Sequence, residues 1–173
     1  SIGFENSLEF HSAMVQENMT GQWLSSGWVE ANRLSVLSLD LRKYKHIEVK
    51  DLHMEDFNQN SIDELLPLDH NIFEPYWRNS KAGFIETIES CNRNYLFKKY
   101  VDEKLIGYAI LGTTRNFSFL QRFGILKSHQ NKGYGSSLLD EVIYFANSKK
   151  LSNIRLNTQP NNTAAKELYI KKG

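Results

Sequence analysis

Gln130-Asn131-Lys132-Gly133-Tyr134-Gly135-Ser136 stands between a strand pattern that ends near Ile125 and a strongly amphipathic helix that begins near Gly133. Two glycines let the backbone turn with no Cβ in the way. Such a turn leaves several amide N–H groups at the helix start unpaired and pointing outward. With the positive end of the helix dipole, these donors make an anion site. Lys132 adds a full positive charge, and a diphosphate is the natural occupant. The spacing then discriminates among diphosphate loops. A Walker A loop needs four residues between its glycines and then Lys-Ser/Thr, whereas only Tyr134 separates these two. A dinucleotide fingerprint needs a third glycine three residues after the second, where Leu138 stands instead.

Downstream of the turn, Leu138, Leu139, Val142, Ile143 and Ala146 follow the helical period across a helix from Gly133 to Lys149. Ile154 to Thr158 reads as a short strand. Asn161 to Lys172 reads as a last helix, with Asn caps at its start and Lys171, Lys172 and Gly173 at its end. Upstream, Asn116 to Ile125 is a strand, with Phe117, Phe119, Gln121 and Phe123 alternating on one face. Asn94 to Val101 and Leu105 to Gly112 form a hairpin closed by Asp102-Glu103-Lys104. Ser80 caps a helix that runs to about Ser90, with Phe84, Ile85 and Ile88 at helical spacing. His53 to Leu68 reads as a helix ending near Pro67. Ile47 to Lys50 and Leu34 to Leu39 read as strands. Ser7 to Met19 reads as a helix, and Gly21 and Gly27 punctuate the stretch after it. The order predicts a mixed α/β layered fold with helices covering a central sheet.

Composition narrows the class. The 173 residues suit one domain with a short appendage, and 40% hydrophobic content is that of a globular chain. Twenty-one basic and 20 acidic residues leave a net charge of +1, so no global field draws in nucleic acid or an anionic membrane. A single cysteine, Cys91, allows no intrachain disulfide and reads as a structural thiol. No apolar run reaches the ~18 residues of a membrane span. Ser1-Ile2-Gly3-Phe4-Glu5 carries no signal pattern, and a reducing cytoplasmic setting fits. Neither a metal, a nucleic acid nor a membrane is expected as a partner.

Gln130, Gly133 and Gly135 match Gln/Arg-x-x-Gly-x-Gly/Ala, and in this the segment resembles the acetyl-CoA pyrophosphate loop of the GNAT N-acetyltransferase superfamily. Phe119-Leu120-Gln121-Arg122-Phe123-Gly124-Ile125 resembles the strand that precedes that loop. Asn157-Thr158-Gln159-Pro160-Asn161-Asn162 through Tyr169 resembles the family's later strand and its Asn-opened, Tyr-bearing helix. Leu168-Tyr169-Ile170-Lys171-Lys172-Gly173 is similar to its Leu-Tyr-x-Lys-x-Gly ending.

The resemblance implies a central mixed sheet flanked by helices, with the family's two closing strands missing after Gly173. It implies acetyl-CoA as cosubstrate, with Phe123, Gly124 and Ile125 on the pantetheine arm and Gln130, Asn131, Lys132, Gly133, Tyr134, Gly135 and Ser136 around the diphosphate. A side chain at position 135 would then stand where the pyrophosphate lies. Asn162 is implied either as a cofactor contact or as a helix cap. Tyr169 is implied as the general acid, and a backbone amide of the Phe119–Ile125 strand as the donor to the oxyanion. The acceptor is an amine of a small molecule or peptide. Many relatives carry a Glu on the strand before the loop as general base. Here that strand offers Gln121 and Arg122, and Asp69, His70 and Glu74 are candidates by location only. The alternative reading is a non-catalytic acyl-CoA-binding module. Residues 46–173 are expected to form the transferase domain, truncated at its C-terminus, and residues 1–45 an extension. That extension is a remnant of a preceding GNAT-like half, a source of one strand for the sheet, or an unrelated appendage. An exposed sheet edge makes a homodimer plausible.

Overall fold

The computed structural model describes residues 17–30, 33–44, 49, 52–115 and 117–172. The chain divides into two units, Ser1–Arg33 and Leu34–Gly173. In the first, a single-turn Glu17–Met19 leads into helix α1 (Thr20–Ser25). Gly27 ends it in the left-handed region at φ 89°, and the Trp23 and Trp28 rings meet edge-on at 5.0 Å. Gly21 lies inside α1 rather than breaking it. Most of the helix expected over Ser7–Met19 lies outside the described residues.

The second unit carries β1 (Ser35–Asp40), β2 (Met54–Asp56), α2 (Ile62–Ile72), α3 (Lys81–Glu89), β3 (Arg93–Val101), β4 (Lys104–Thr113), β5 (Ser118–Ile125), α4 (Tyr134–Ser148), β6 (Asn153–Thr158) and α5 (Thr163–Lys172). The six strands form one sheet in the order β1-β6-β5-β4-β3-β2, and β5 and β6 are its parallel pair. β1 runs antiparallel to β6 along its whole length, from Ser35 opposite Thr158 to Asp40 opposite Asn153. The sheet edge beyond β6 is therefore made by a segment from the start of this unit.

Alternation along β3 sorts side chains to two faces. Tyr95 and Phe97 turn to α4, where both meet the Phe145 ring edge-on at 4.6 and 5.5 Å. Leu96 turns the other way, into a cluster with Ile62, Leu65, Phe84, Tyr108 and Ile110 beneath α2 and α3. Leu138, Leu139, Val142, Ile143 and Ala146, the periodic residues of α4, fill the first face, and Leu168 and Tyr169 of α5 pack against them. Two apolar layers thus cover the two faces of the sheet, and α2 and α4 are each held by burial of one stripe.

Three expectations are corrected. Residues 54–56 pair with β3 instead of opening a helix. Pro67 does not end its helix, which runs on to Ile72. The proline is exposed, and burial of Leu65, Leu68 and Ile72 outweighs the ~3 kcal/mol that an interior proline costs. β5 does not keep one face. Ile110 pairs with Arg122 while Leu111 pairs with Leu120, so Gln121 is an extra residue in a bulge. Phe123 therefore packs on the α4 face, whereas Gln121 turns to Thr87, Ser90 and Cys91 of the α3 side. The strand expected over Ile47–Lys50 lies almost wholly outside the described residues.

The β3–β4 turn is closed by Asp102 and Glu103, at φ 47° and 62°. Two positive φ values are those of a type I′ turn, which an Asn-Gly pair satisfies without strain. The double substitution Asp102→Asn with Glu103→Gly is expected to raise the unfolding free energy by about 1 kcal/mol. Thermal or urea unfolding checks it, and a lower midpoint would contradict the strain assignment.

Candidate active site

The site begins where β6 leaves β5. The two strands pair only from Ser118 opposite Ile154 to Leu120 opposite Leu156. β6 then continues beside β1 to Thr158, and the outer edge of β5 from Gln121 to Ile125 has no partner strand among the described residues. The bulge lies at the parting point. The extra residue increases the local twist and bends β5 away from its neighbour. This leaves backbone donors and acceptors lining a cleft, ready for an extended ligand that carries amides of its own.

At the end of β5 the chain enters the turn before α4. Gln130 Nε2 donates to the Ile125 carbonyl at 2.9 Å and ties the turn to the strand. Asn131 and Gly133 take positive φ values of 59° and 85°, which swings the following amides outward. Ser137 N–H bonds the Gly133 carbonyl, but no acceptor faces the amides from Lys132 to Ser136 among the described residues. Those free donors at the head of a helix of 15 residues fit a diphosphate, and the free edge of β5 fits an amide-bearing arm leading from it. Lys132 Nζ turns back to the Ser128 carbonyl at 3.0 Å, so its charge sits at the rim.

The two glycines serve different ends. A Cβ on Gly133 would meet nothing within 4 Å, and the glycine is needed for its left-handed backbone. A Cβ on Gly135 would point at Leu168, Ile125 and Phe123, at 3.7 to 3.9 Å. The expectation that a side chain at 135 would enter the diphosphate space is corrected on this point. It would point into the protein, because α5 lies over that side of the turn. Gly124 also has an inward role. A Cβ there would strike Ile72 Cγ2 at 2.5 Å, so it admits α2 against β5.

Tyr169 sits on the α4 side of the cleft, its ring 6.1 Å from that of Phe123. It also walls an apolar cavity of about 130 Å³ with Leu37, Leu39, Leu139, Ile143 and Leu156. Its hydroxyl has no hydrogen-bond partner among the described residues, and burial pushes its pKa up to about 12. Lys172 holds the end of α5 to α4 through both oxygens of Asp140, at 2.6 Å. Asn162 acts as the cap of α5, accepting the Ala165 N–H at 3.3 Å.

Of the three candidate general bases, two are occupied. Asp69 is fully buried; its Oδ1 accepts from the Asn79 amide, and its Oδ2 from the Tyr108 hydroxyl and from Arg122 Nε. Lys127 bonds the Glu74 carboxylate and lowers its pKa, so Glu74 stays ionised and paired. His70 Nε2–H donates to the Asn79 carbonyl at 3.0 Å and leaves Nδ1 open. The Asp69–Arg122–Tyr108 network is absent from the sequence-based expectations. Its signal lies in α2, where Asp69 falls on the same stripe as Ile62, Leu65 and Ile72, a place where a lone carboxylate needs buried partners.

Residues 48–173 match the family model described as Acetyltransferase (GNAT) family. A streptothricin acetyltransferase of Escherichia coli is 28% identical over 127 residues, spanning 73% of this chain and 67% of that protein. Among solved structures, the ribosomal-protein-S18-alanine N-acetyltransferase of Escherichia coli superposes with a TM-score of 0.61 at 17% identity, over 71% of this chain and 77% of that one. The PaiA N-acetyltransferase of Thermoplasma acidophilum, solved with coenzyme A, superposes with a TM-score of 0.56 at 17% identity, over 72% and 89%.

The unlike glycines give an expected contrast. Gly133→Ala should lose about 1 kcal/mol of stability to its left-handed backbone and weaken coenzyme A binding. Gly135→Ala should leave binding within about twofold, because its methyl fits at ordinary contact distance, while Gly135→Val should lose about 1–3 kcal/mol by overpacking. Thermal unfolding and coenzyme A titration read both effects. Folded Gly135→Ala protein that cannot bind would overturn the inward direction assigned to position 135.

Proposed function

Since the chain belongs to the GNAT acetyltransferase family, whose cosubstrate is acetyl-CoA, we propose that it transfers the acetyl group to a primary amine of a small molecule by direct attack. The observation that carries this is the free edge of β5 running straight into a turn whose amides lack protein acceptors. The relative that acetylates streptothricin makes that class of amine-bearing antibiotic the first acceptor to try. In this reading residues 46–173 form the transferase domain, and the preceding segment lends it β1.

Acetyl-CoA supplies an activated acetyl thioester. The protein's own residues do four things. The amides from Lys132 to Ser136 and the dipole of α4 hold the phosphates. Backbone groups of Phe123, Gly124 and Ile125 align the arm along β5, which fixes the carbonyl and removes orientational freedom from the reaction. An amide of that same edge donates to the carbonyl oxygen as charge develops there. Tyr169 holds a proton for the departing sulfur. Its pKa of about 12 is higher than a free tyrosine's, because the phenolate would be poorly solvated among Phe123 and the α4 side chains. The proton is therefore present at every working pH, and it moves only to a sulfur that is itself desolvated and strongly basic. The amine must arrive uncharged; the occupied state of Asp69 and Glu74 leaves His70 Nδ1 or water to take its proton.

Release of free thiol from acetyl-CoA, followed with a panel of amines that includes streptothricin, tests the reading. Acceptor-dependent thiol release supports it, and tight coenzyme A binding with no release against any amine would favour an acyl-CoA-binding module. Tyr169→Phe should lower kcat by about 10²-fold while the acetyl-CoA KM stays within about threefold. Any loss of kcat through Tyr169 ionisation should begin only above about pH 11, because the folded group keeps its proton beyond the usual tyrosine range. An unchanged kcat in Tyr169→Phe would remove it as the acid.

A further inference from the structure

Alternation along β3 carries Lys99 to the face that Tyr95 and Phe97 share, beneath the start of α4. Its Nζ donates to Ser137 Oγ at 2.8 Å and to Glu141 Oε1 at 2.7 Å. Both acceptors belong to α4 and lie one turn apart on one face of it. Ser137 is also the residue whose N–H closes the first turn of the helix on the Gly133 carbonyl, at 3.0 Å. At a rise of ~1.5 Å per residue, Ser137 stands about 6 Å along the axis from Gly133, and Glu141 about 12 Å. The ammonium is thus bonded at the turn nearer the helix head, while the carboxylate is rooted one turn deeper. The pair lies in the interior, with the Lys99 side chain 18% exposed and that of Glu141 2%. Glu141 Oε2 has no hydrogen-bond partner among the described residues, so compensation of its charge comes through Oε1 and Lys99. The two lysines beside the turn in sequence are engaged elsewhere, Lys132 with the Ser128 carbonyl and Lys127 with Glu74.

We propose that Lys99 is a positioning residue for the diphosphate of acetyl-CoA, and that Glu141 sets how much of its charge reaches the turn. Two effects come from the one contact. The bond to Ser137 holds the first turn of α4, and with it the direction of the amides from Lys132 to Ser136. The charge acts as well. An ion pair with its positive member toward the helix head adds to the helix dipole, and an interior pair is screened by salt far less than a pair in water. The inference rests on the reading of that turn as the phosphate site. It needs no turnover, so binding alone tests it.

The experiment titrates coenzyme A and pantetheine, which carries the arm without the diphosphate, into wild type, Lys99→Met, Glu141→Gln and the double variant as full chains. Lys99→Met should raise the coenzyme A Kd about tenfold, because it leaves an unpaired carboxylate beneath the anion site. Glu141→Gln keeps an acceptor for Lys99 and removes only the charge, so it should lower that Kd about threefold, although it breaks an ion pair. The double variant should return to within about threefold of wild type. The pantetheine Kd should stay within about twofold throughout, since the arm does not meet the phosphate turn. A pair that served the fold alone would behave otherwise, and each single variant would then weaken both ligands. Weaker or unchanged coenzyme A binding in Glu141→Gln, or equal losses for the two ligands in Lys99→Met, would overturn the proposal. Should Lys99→Met not fold, the direction of the Glu141→Gln shift decides alone. Wild type that binds coenzyme A no better than pantetheine would defeat the phosphate-turn reading and this inference with it, whereas a preference for the phosphate-bearing ligand that no variant alters defeats this inference only.

Discussion

The cleft exists because two parallel strands part company. β5 and β6 are bonded through Leu120 and Leu156 and then separate. A bulge at Gln121 starts the separation, and the chain holds it open by giving β6 another neighbour. β1 lies along the far edge of β6 over its full length, so β6 keeps its ladder while β5 gives up its own. An unpaired backbone edge in the middle of a sheet is costly unless it faces water or a ligand. Here it opens directly onto the turn before α4, where a second set of backbone donors also lacks protein partners among the described residues.

A buried ion pair lies on each face of the sheet. On the α4 face Lys99 reaches Glu141, which is 2% exposed, at 2.7 Å, and Ser137 in the first turn of the helix at 2.8 Å. That places an ion pair directly under the helix whose head suits an anion. On the α2 face Asp69 and Arg122 do the corresponding work, with the Tyr108 hydroxyl completing the carboxylate's shell. Burial and the Asp69 charge raise the Tyr108 pKa well above its usual value, so it remains a donor. Ion pairs of this kind contribute little net stability compared with apolar packing, but removing one partner is costly, and they impose geometry. One such pair ties α4 to β3 and the other ties α2 to β5, on opposite faces of one sheet.

Most elements from Ser80 onward are legible in the sequence because their apolar spacing agrees with their final burial. Ser80 accepts the Gly83 amide at 3.1 Å, as its capping position predicts. The β3–β4 hairpin and α4 lie within a residue or two of their expected bounds. The departures share a cause. The local cost of Pro67 predicts a helix end, but the core stripe beneath it sets the outcome. Strict period places Phe117, Phe119, Gln121 and Phe123 together, and one inserted residue reverses the face of the last. Gly135 reads as clearance for a ligand, yet its open side faces Leu168 on a helix distant in sequence.

Local sequence carries a likeness to the acetyl-CoA loop of a known family, and by itself it establishes that a glycine turn precedes an amphipathic helix and that the chain forms a mixed α/β layer. These follow from backbone freedom, helix polarity and hydrophobic period, which neighbouring residues carry in full. Long-range packing settles the remainder: β1 covers β6, β5 is bulged and free along one edge, Tyr169 is buried enough to hold its proton to about pH 12, and Asp69 is locked to Arg122 rather than available as a base. Each of these depends on which distant side chains share a face and on how much water they exclude. Residues 53 positions apart must meet before a carboxylate has its partner, and no local pattern records that meeting.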